Sequence, residues 1–206
     1  MPLNNTGRNA LLNSGKGGFT HVGAVTDLSG TEVTGGSYAR QAVTWQAAGT
    51  PAAGQSGNTA QLTIPIPAGT TPVAIALYDL VSAGNLLGYF PYGSSGQVVD
   101  GVASTDATTD VFTSVAHGLT TDDRVMFWAI TGDALPTGLS ATTLYYVLSS
   151  GLTANAFKVA TTSGGTAVDI TVASEVAFAK TVPNTFSSAG NVVIAANALV
   201  LDATVI

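Results

Sequence analysis

From Phe19 onward the chain is cut into short runs rich in Val, Ile, Thr and aromatic residues, each closed by a cluster of Gly, Pro or Asn. Runs of that length and composition, bounded by turn residues, are strands. The first group reads FTHVGAVT, SYARQAVTWQ, AQLTIPIP, VAIALYDLV and LLGYFPY. In AQLTIPIP, Leu62, Ile64 and Ile66 alternate with Gln61, Thr63 and Pro65, which predicts a strand with one wet face. Pro65 has no N–H to donate and so marks an edge or a bulge. AGTPAAGQSGN reads as a long hairpin loop, and PAGTTP as a tight connection.

A second group runs from about Asp100 to Lys180: DVFTSVA, DRVMFWAI, TLYYVLSS, AFKVATT, AVDITVA and VAFA, with turns at HGLTTD, SGLTAN and TSGGTA. Its short, even spacing predicts a small barrel or sandwich. The final stretch, NVVIAANALVLDATVI, is a hairpin or two successive strands. One short helix is expected near Thr6 to Asn13, capped by Thr6 and stopped by Asn13, Gly15 and Gly17. The SGKGG that follows is no phosphate loop, because Gly17 stands where the motif needs Ser or Thr and the loop trails the helix. There are no tandem repeats and no heptads. The fold class expected is therefore all-β with one short N-terminal helix.

Only 9% of the 206 residues are charged, against roughly 25% in ordinary soluble domains. The surface must then be built from Thr, Ser, Asn, Gly and Ala, and neighbours are expected to cover part of it. Net charge is −6, and the six cations (Arg8, Lys16, Arg40, Arg124, Lys158, Lys180) are scattered singly. Nucleic acid and anionic membranes both need clustered Lys and Arg, so neither is expected as a partner. With no cysteine, thiolate catalysis, disulfides and Cys-based metal sites are excluded. The opening residues carry no apolar run of signal-peptide length, and no stretch reaches the roughly 18 apolar residues of a membrane helix. The expectation is a soluble chain.

The stretch richest in chemistry is HGLTTDDRV, His117 to Val125. Read as a turn, each residue explains itself. Gly118 takes a backbone conformation that other residues avoid, while Thr120, Thr121, Asp122 and, at the strand end, His117 can bond the turn's own N–H groups. Asp123 and Arg124 would point to opposite faces. Acid–base work needs paired groups converging on a cleft, and nothing else supplies the partner. His21 lacks metal-ligand spacing, and DATTD (Asp106, Asp110) is only a weak calcium signal without the D-x-D-x-D-G loop. A glycosidase-like pair is unpromising with two glutamates in the chain. No catalytic residue, cofactor or metal is expected.

Arg40 is expected to lie across a sheet, its stem on Tyr38 or Trp45 and its head on Glu32 or Asp79; an intersubunit contact is the alternative. The aromatics Trp45, Tyr89, Phe90, Tyr92, Trp128, Tyr145 and Tyr146 are candidate interface or sugar-stacking residues, core packing being the commoner use. Of Tyr145 and Tyr146, at most one can face the core, and a neighbouring subunit is a natural cover for the other. So uncharged a surface is expected to self-associate, as a three-fold cluster.

Two stretches resemble known families. EVTGGSYARQAVTWQAAG and IPAGTTPVAIALYDLVSAGNLLGY, with GRNALLNSG before and SSAGNVVIAANALVLDA after, resemble a β-domain of tailed-bacteriophage structural proteins, of minor-tail, tail-fibre-like or head-exterior type. HGLTTDDRVMFW through LPTGLSATTLYYVLSSGLTANAFKVATTSGGTAVDI resembles a mobile β-module of phage virion surface proteins. The resemblances imply a discontinuous, jelly-roll-like β-sandwich for virion attachment, residues 1–98 plus 181–206, with a projecting β-module inserted at 99–180. They imply a non-enzymatic structural protein on the virion exterior. It would decorate the capsid or tail through contacts with copies of itself and with the major capsid protein or tail proteins. The alternative is a minor tail or tail-fibre protein that binds a host-surface receptor or glycan.

Overall fold

The computed structural model describes residues 9, 12–93, 101–130 and 134–202. Asn9 and residues 12–15 are helical and continue into a 3-10 turn, Lys16–Gly18; Thr6, the expected cap, lies outside the described residues. The rest of the regular structure is β. In chain order the strands are β1 (His21–Val25), β2 (Gln41–Ala42), β3 (Gln55–Gly57), β4 (Leu62–Ile66), β5 (Ala74–Tyr78), β6 (Leu86–Pro91), β7 (Gly101–Asp106) and β8 (Val111–Thr113). They continue as β9 (Arg124–Ala129), β10 (Tyr145–Val147), β11 (Ala156–Phe157), β12 (Val159–Ala160), β13 (Glu175–Thr181), β14 (Gly190–Ile194) and β15 (Val200–Asp202). The described residues fall into two compact units. One is drawn from Met1–Thr26, Gly30–Val98 and Pro183–Ile206, the other from Asp27–Ser29 and Val99–Val182.

In the first unit a four-stranded sheet has the order β2-β1-β5-β6, and β14 pairs antiparallel with β4. Val22, Ala24, Ile75 and Leu77 of the larger sheet share one buried cluster with Ile64, Ile66, Val192 and Ile194 of the smaller. Two sheets that bury alternate side chains against each other make a sandwich. Burying each Val, Leu or Ile is worth about 1.5–3 kcal/mol, more than a surface ion pair supplies. Pro65 sits opposite Asn191 in the two-stranded ladder, where an edge tolerates its missing N–H.

The second unit is a seven-stranded sheet of order β11-β8-β7-β13-β9-β10-β12. Its two outermost strands, β11 and β12, are separated in sequence only by Lys158. One continuous segment therefore pairs with β8 through Phe157↔Phe112 and with β10 through Val159↔Val147. The sheet curls into a nearly closed barrel, its two outer strands joined through the chain rather than by a ladder. Inside lie Phe112, Phe127, Tyr145, Phe157 and Phe178. Their rings meet at centroid distances of 5.1 Å (Phe112–Phe127 and Phe112–Phe157), 5.2 Å (Phe157–Phe178) and 5.6 Å (Phe127–Tyr145).

The structure departs from the sequence expectations in three places and decides between two alternatives in a fourth. SYARQAVTWQ forms only the two-residue β2 and an isolated bridge from Trp45 to Asn58, because Tyr38 and Arg40 anchor that segment through side chains instead of a ladder. AGTPAAGQSGN is not all loop: Gln55–Gly57 is β3, paired with β15. AVDITVA is no strand. Its Ile170 is fully buried, but the Ile170 N–H bonds the Asp110 carboxylate at 2.9 Å and Val168 N–H bonds Val159 O at 2.8 Å. NVVIAANALVLDATVI makes two successive strands with different partners, since β14 pairs with β4 and β15 with β3.

Candidate functional site

The densest polar cluster in the first unit lies against β1 and β5. Arg40 donates from Nε and Nη2 to the two oxygens of Glu32, both at 2.8 Å, and from Nη1 to Leu80 O at 2.8 Å. Its guanidinium stacks on the Tyr78 ring, 3.4 Å from the centroid, and only 8% of the side chain is exposed. Of the acids considered in the sequence, Glu32 is the partner; the ring beneath is Tyr78 rather than Tyr38 or Trp45. The Tyr38 hydroxyl accepts from Ala24 N–H at 3.0 Å and donates to Glu32 Oε1 at 2.8 Å. A planar fork matched to a carboxylate and laid on an aromatic face is the arrangement arginine suits and lysine does not.

These contacts contribute to the pH dependence of the first unit. Burial alone would raise the Glu32 pKa, but the hydrogen bonds from Arg40 and Tyr38 and the Arg40 charge outweigh it, holding the carboxyl below its ordinary 4.5. Its contribution to stability is therefore present above 4.5 and lost as pH falls through the lower folded value. Burial, with the Glu32 charge beside it, pushes the Tyr78 hydroxyl from 10.0 up to about 12, so that contribution is lost as pH rises through the same interval. Urea midpoints read by Trp45 fluorescence should hold level between these limits and fall outside them. Glu32→Gln should be less stable than the parent at neutral pH, and the gap should narrow on acidification. A gap independent of pH would contradict the assignment.

The nonapeptide is a turn held by its own side chains. Gly118 and Asp122 both have φ of +66°. His117 Nδ1 accepts from Leu119 N–H at 3.0 Å while Nε2 faces Ala156 O at 3.3 Å, and the ring meets Phe157 edge-on at 5.0 Å. Asp122 Oδ1 accepts from Ser163 Oγ at 2.6 Å. Asp123 Oδ2 accepts from Thr120 N–H at 2.7 Å, and its Oδ1 pairs with Lys180 Nζ at 2.8 Å. The three acid–base candidates are thus each engaged with different partners. Among the described residues, no three His, Cys, Asp or Glu side chains gather as a metal site. Asp106 accepts from Thr108 and Thr109 N–H at 2.7 and 3.2 Å, closing its own turn.

The candidate aromatics do not converge. Phe90 (5% exposed) and Tyr145 (2% exposed) are core residues, which takes both off any interface. Ser140 N–H bonds the Tyr145 hydroxyl at 2.8 Å. Tyr146 points the other way, and its cover is the chain's own Arg124, 4.1 Å from the ring centroid, where a neighbouring subunit had been expected. Trp45 donates Nε1–H to Phe19 O at 2.6 Å and, like Tyr92, packs on the first core. Tyr89 is half-buried on β6, and Trp128 is half-buried on β9 opposite Ala177.

Two residues that sequence reasoning passed over organise their surroundings. Fully buried Asn58 donates from Nδ2 to Ala60 O and Ala195 O at 2.8 and 2.9 Å and accepts from Leu199 N–H at 2.9 Å. Asn155 accepts from Ser114 N–H through its carbonyl at 3.0 Å and from Ala116 N–H through Oδ1 at 2.9 Å. Each had only the signal of an Asn near Gly or Thr, which Asn13, Asn85, Asn184 and Asn191 share.

The described residues thus form two sheet-built units, in which Arg40 pairs with Glu32 and Lys180 with Asp123. Residues 19–111, somewhat less than half of the chain, match the family model described as Podophage GP4 fiber I protein gp80. Over that span the chain is similar to a phage fibre protein, and the resemblance to tailed-phage virion surface proteins holds. The match supports a structural virion component of the tail-fibre type that associates with other virion proteins. No curated protein and no solved structure matches the chain.

Proposed function

We propose that this chain is a non-enzymatic structural protein on the exterior of a tailed-phage particle, acting through protein–protein contacts. The observation that carries this reading is the fibre-family match across β1 to β7. The matched family's description favours a place on the tail over a capsid-decoration role. In this reading the first unit attaches to the particle and the second projects as an inserted module. Within the second unit, Gly101 and Phe178 are direct partners on adjacent strands, so the chain enters and leaves it close together, as an insertion requires. Self-association into a trimer is part of the proposal. It is supported by apolar side chains left exposed, among them Leu80, Val81, Val115 and Val172.

Gold-labelled antibody against the chain, imaged on intact particles by electron microscopy, tests the placement. Label on the tail is the expected result, and label over the head would reassign it to capsid decoration. Particles carrying no label, from a phage that expresses the chain, would overturn both. Sedimentation equilibrium at micromolar concentration should give a mass above that of one chain, three-fold in this reading. A stable monomer would remove the trimer.

A further inference from the structure

We draw no further inference here: the strongest candidate, the exposed apolar patch at the β5–β6 hairpin formed by Leu80, Val81, Leu86 and Leu87, carries none because nothing in the structure shows what covers it.

Discussion

Phe127→Ala should destabilise the second unit by about 3–5 kcal/mol, the range for removing a large buried aromatic side chain. Phe127 is 1% exposed and stands at the centre of the barrel's ring cluster, touching Phe112, Tyr145 and Phe178. Removing it takes away one face of three aromatic contacts at once. The sheet limits how far the walls can move in to fill the space, because β9, which carries Phe127, is hydrogen-bonded on both sides, to β13 and β10. The loss is a large part of a domain's total stability of about 5–15 kcal/mol. With a urea dependence of about 2 kcal/mol per molar, the midpoint should drop by roughly 2 M. The two tryptophans, Trp45 and Trp128, fall one in each unit, so each unit can be followed in the single-tryptophan background. A Trp128 transition that stays within about 0.5 kcal/mol of the parent would show that the ring cluster is not the barrel's core.

Gly23→Ala should cost the first unit about 3 kcal/mol, through overpacking and the loss of buried hydrogen bonds. A methyl group there would overlap the Tyr38 hydroxyl and lie 3.2 Å from both Glu32 Oε1 and Tyr78 Cε2. The phenol is rigid, so relief requires moving its hydroxyl off Ala24 N–H and the Glu32 carboxylate together. Gly23 is thus a matter of space and not of backbone freedom: it lies inside β1, opposite Ala76. The check is a pair of denaturation curves with and without Tyr38→Phe, which removes the hydroxyl. The penalty of Gly23→Ala should shrink in the Tyr38→Phe background, since the overlapping atom is gone. Equal penalties in both backgrounds would mean that the clash lies elsewhere.

Legibility in the sequence followed the range of the interaction. Alternation placed β4 correctly, since Ile64 and Ile66 are buried and Thr63 is exposed, and it separated Tyr145 from Tyr146. The turn at His117 to Asp123 was readable from its local bonds, Leu119 N–H to His117 and Thr120 N–H to Asp123, whereas the contacts to Ala156, Ser163 and Lys180 were not; Gly118 and Asp122 take the left-handed conformations that such residues tolerate. What failed was long-range or polar. Gln55–Gly57 looks like loop because its partner strand, Val200–Asp202, is far away in sequence and its side chains lack strand preference. β7, GVASTD, was missed because its Gly, Ala, Ser and Asp lack strand preference, although its partner β8 follows directly. AVDITVA misled in the opposite sense: it has the composition of a strand, but its backbone groups bond a carboxylate and isolated carbonyls. For the Arg40 cluster, the acid could be named from sequence, whereas the ring beneath it depends on the register that sets Tyr78 opposite His21.

The Arg40–Glu32 pair lies within the residues that match the fibre family, and the Lys180–Asp123 pair lies beyond them in the second unit. A particle component of this kind must be physically present in the virion at fixed copy number. Mass spectrometry of gradient-purified phage particles, quantified against the major capsid protein, measures that directly. Expected is a constant ratio of this chain to capsid protein across particle preparations, retained after washing in high salt. Its absence from purified particles, with the chain abundant in the lysate, would contradict a structural role in the virion.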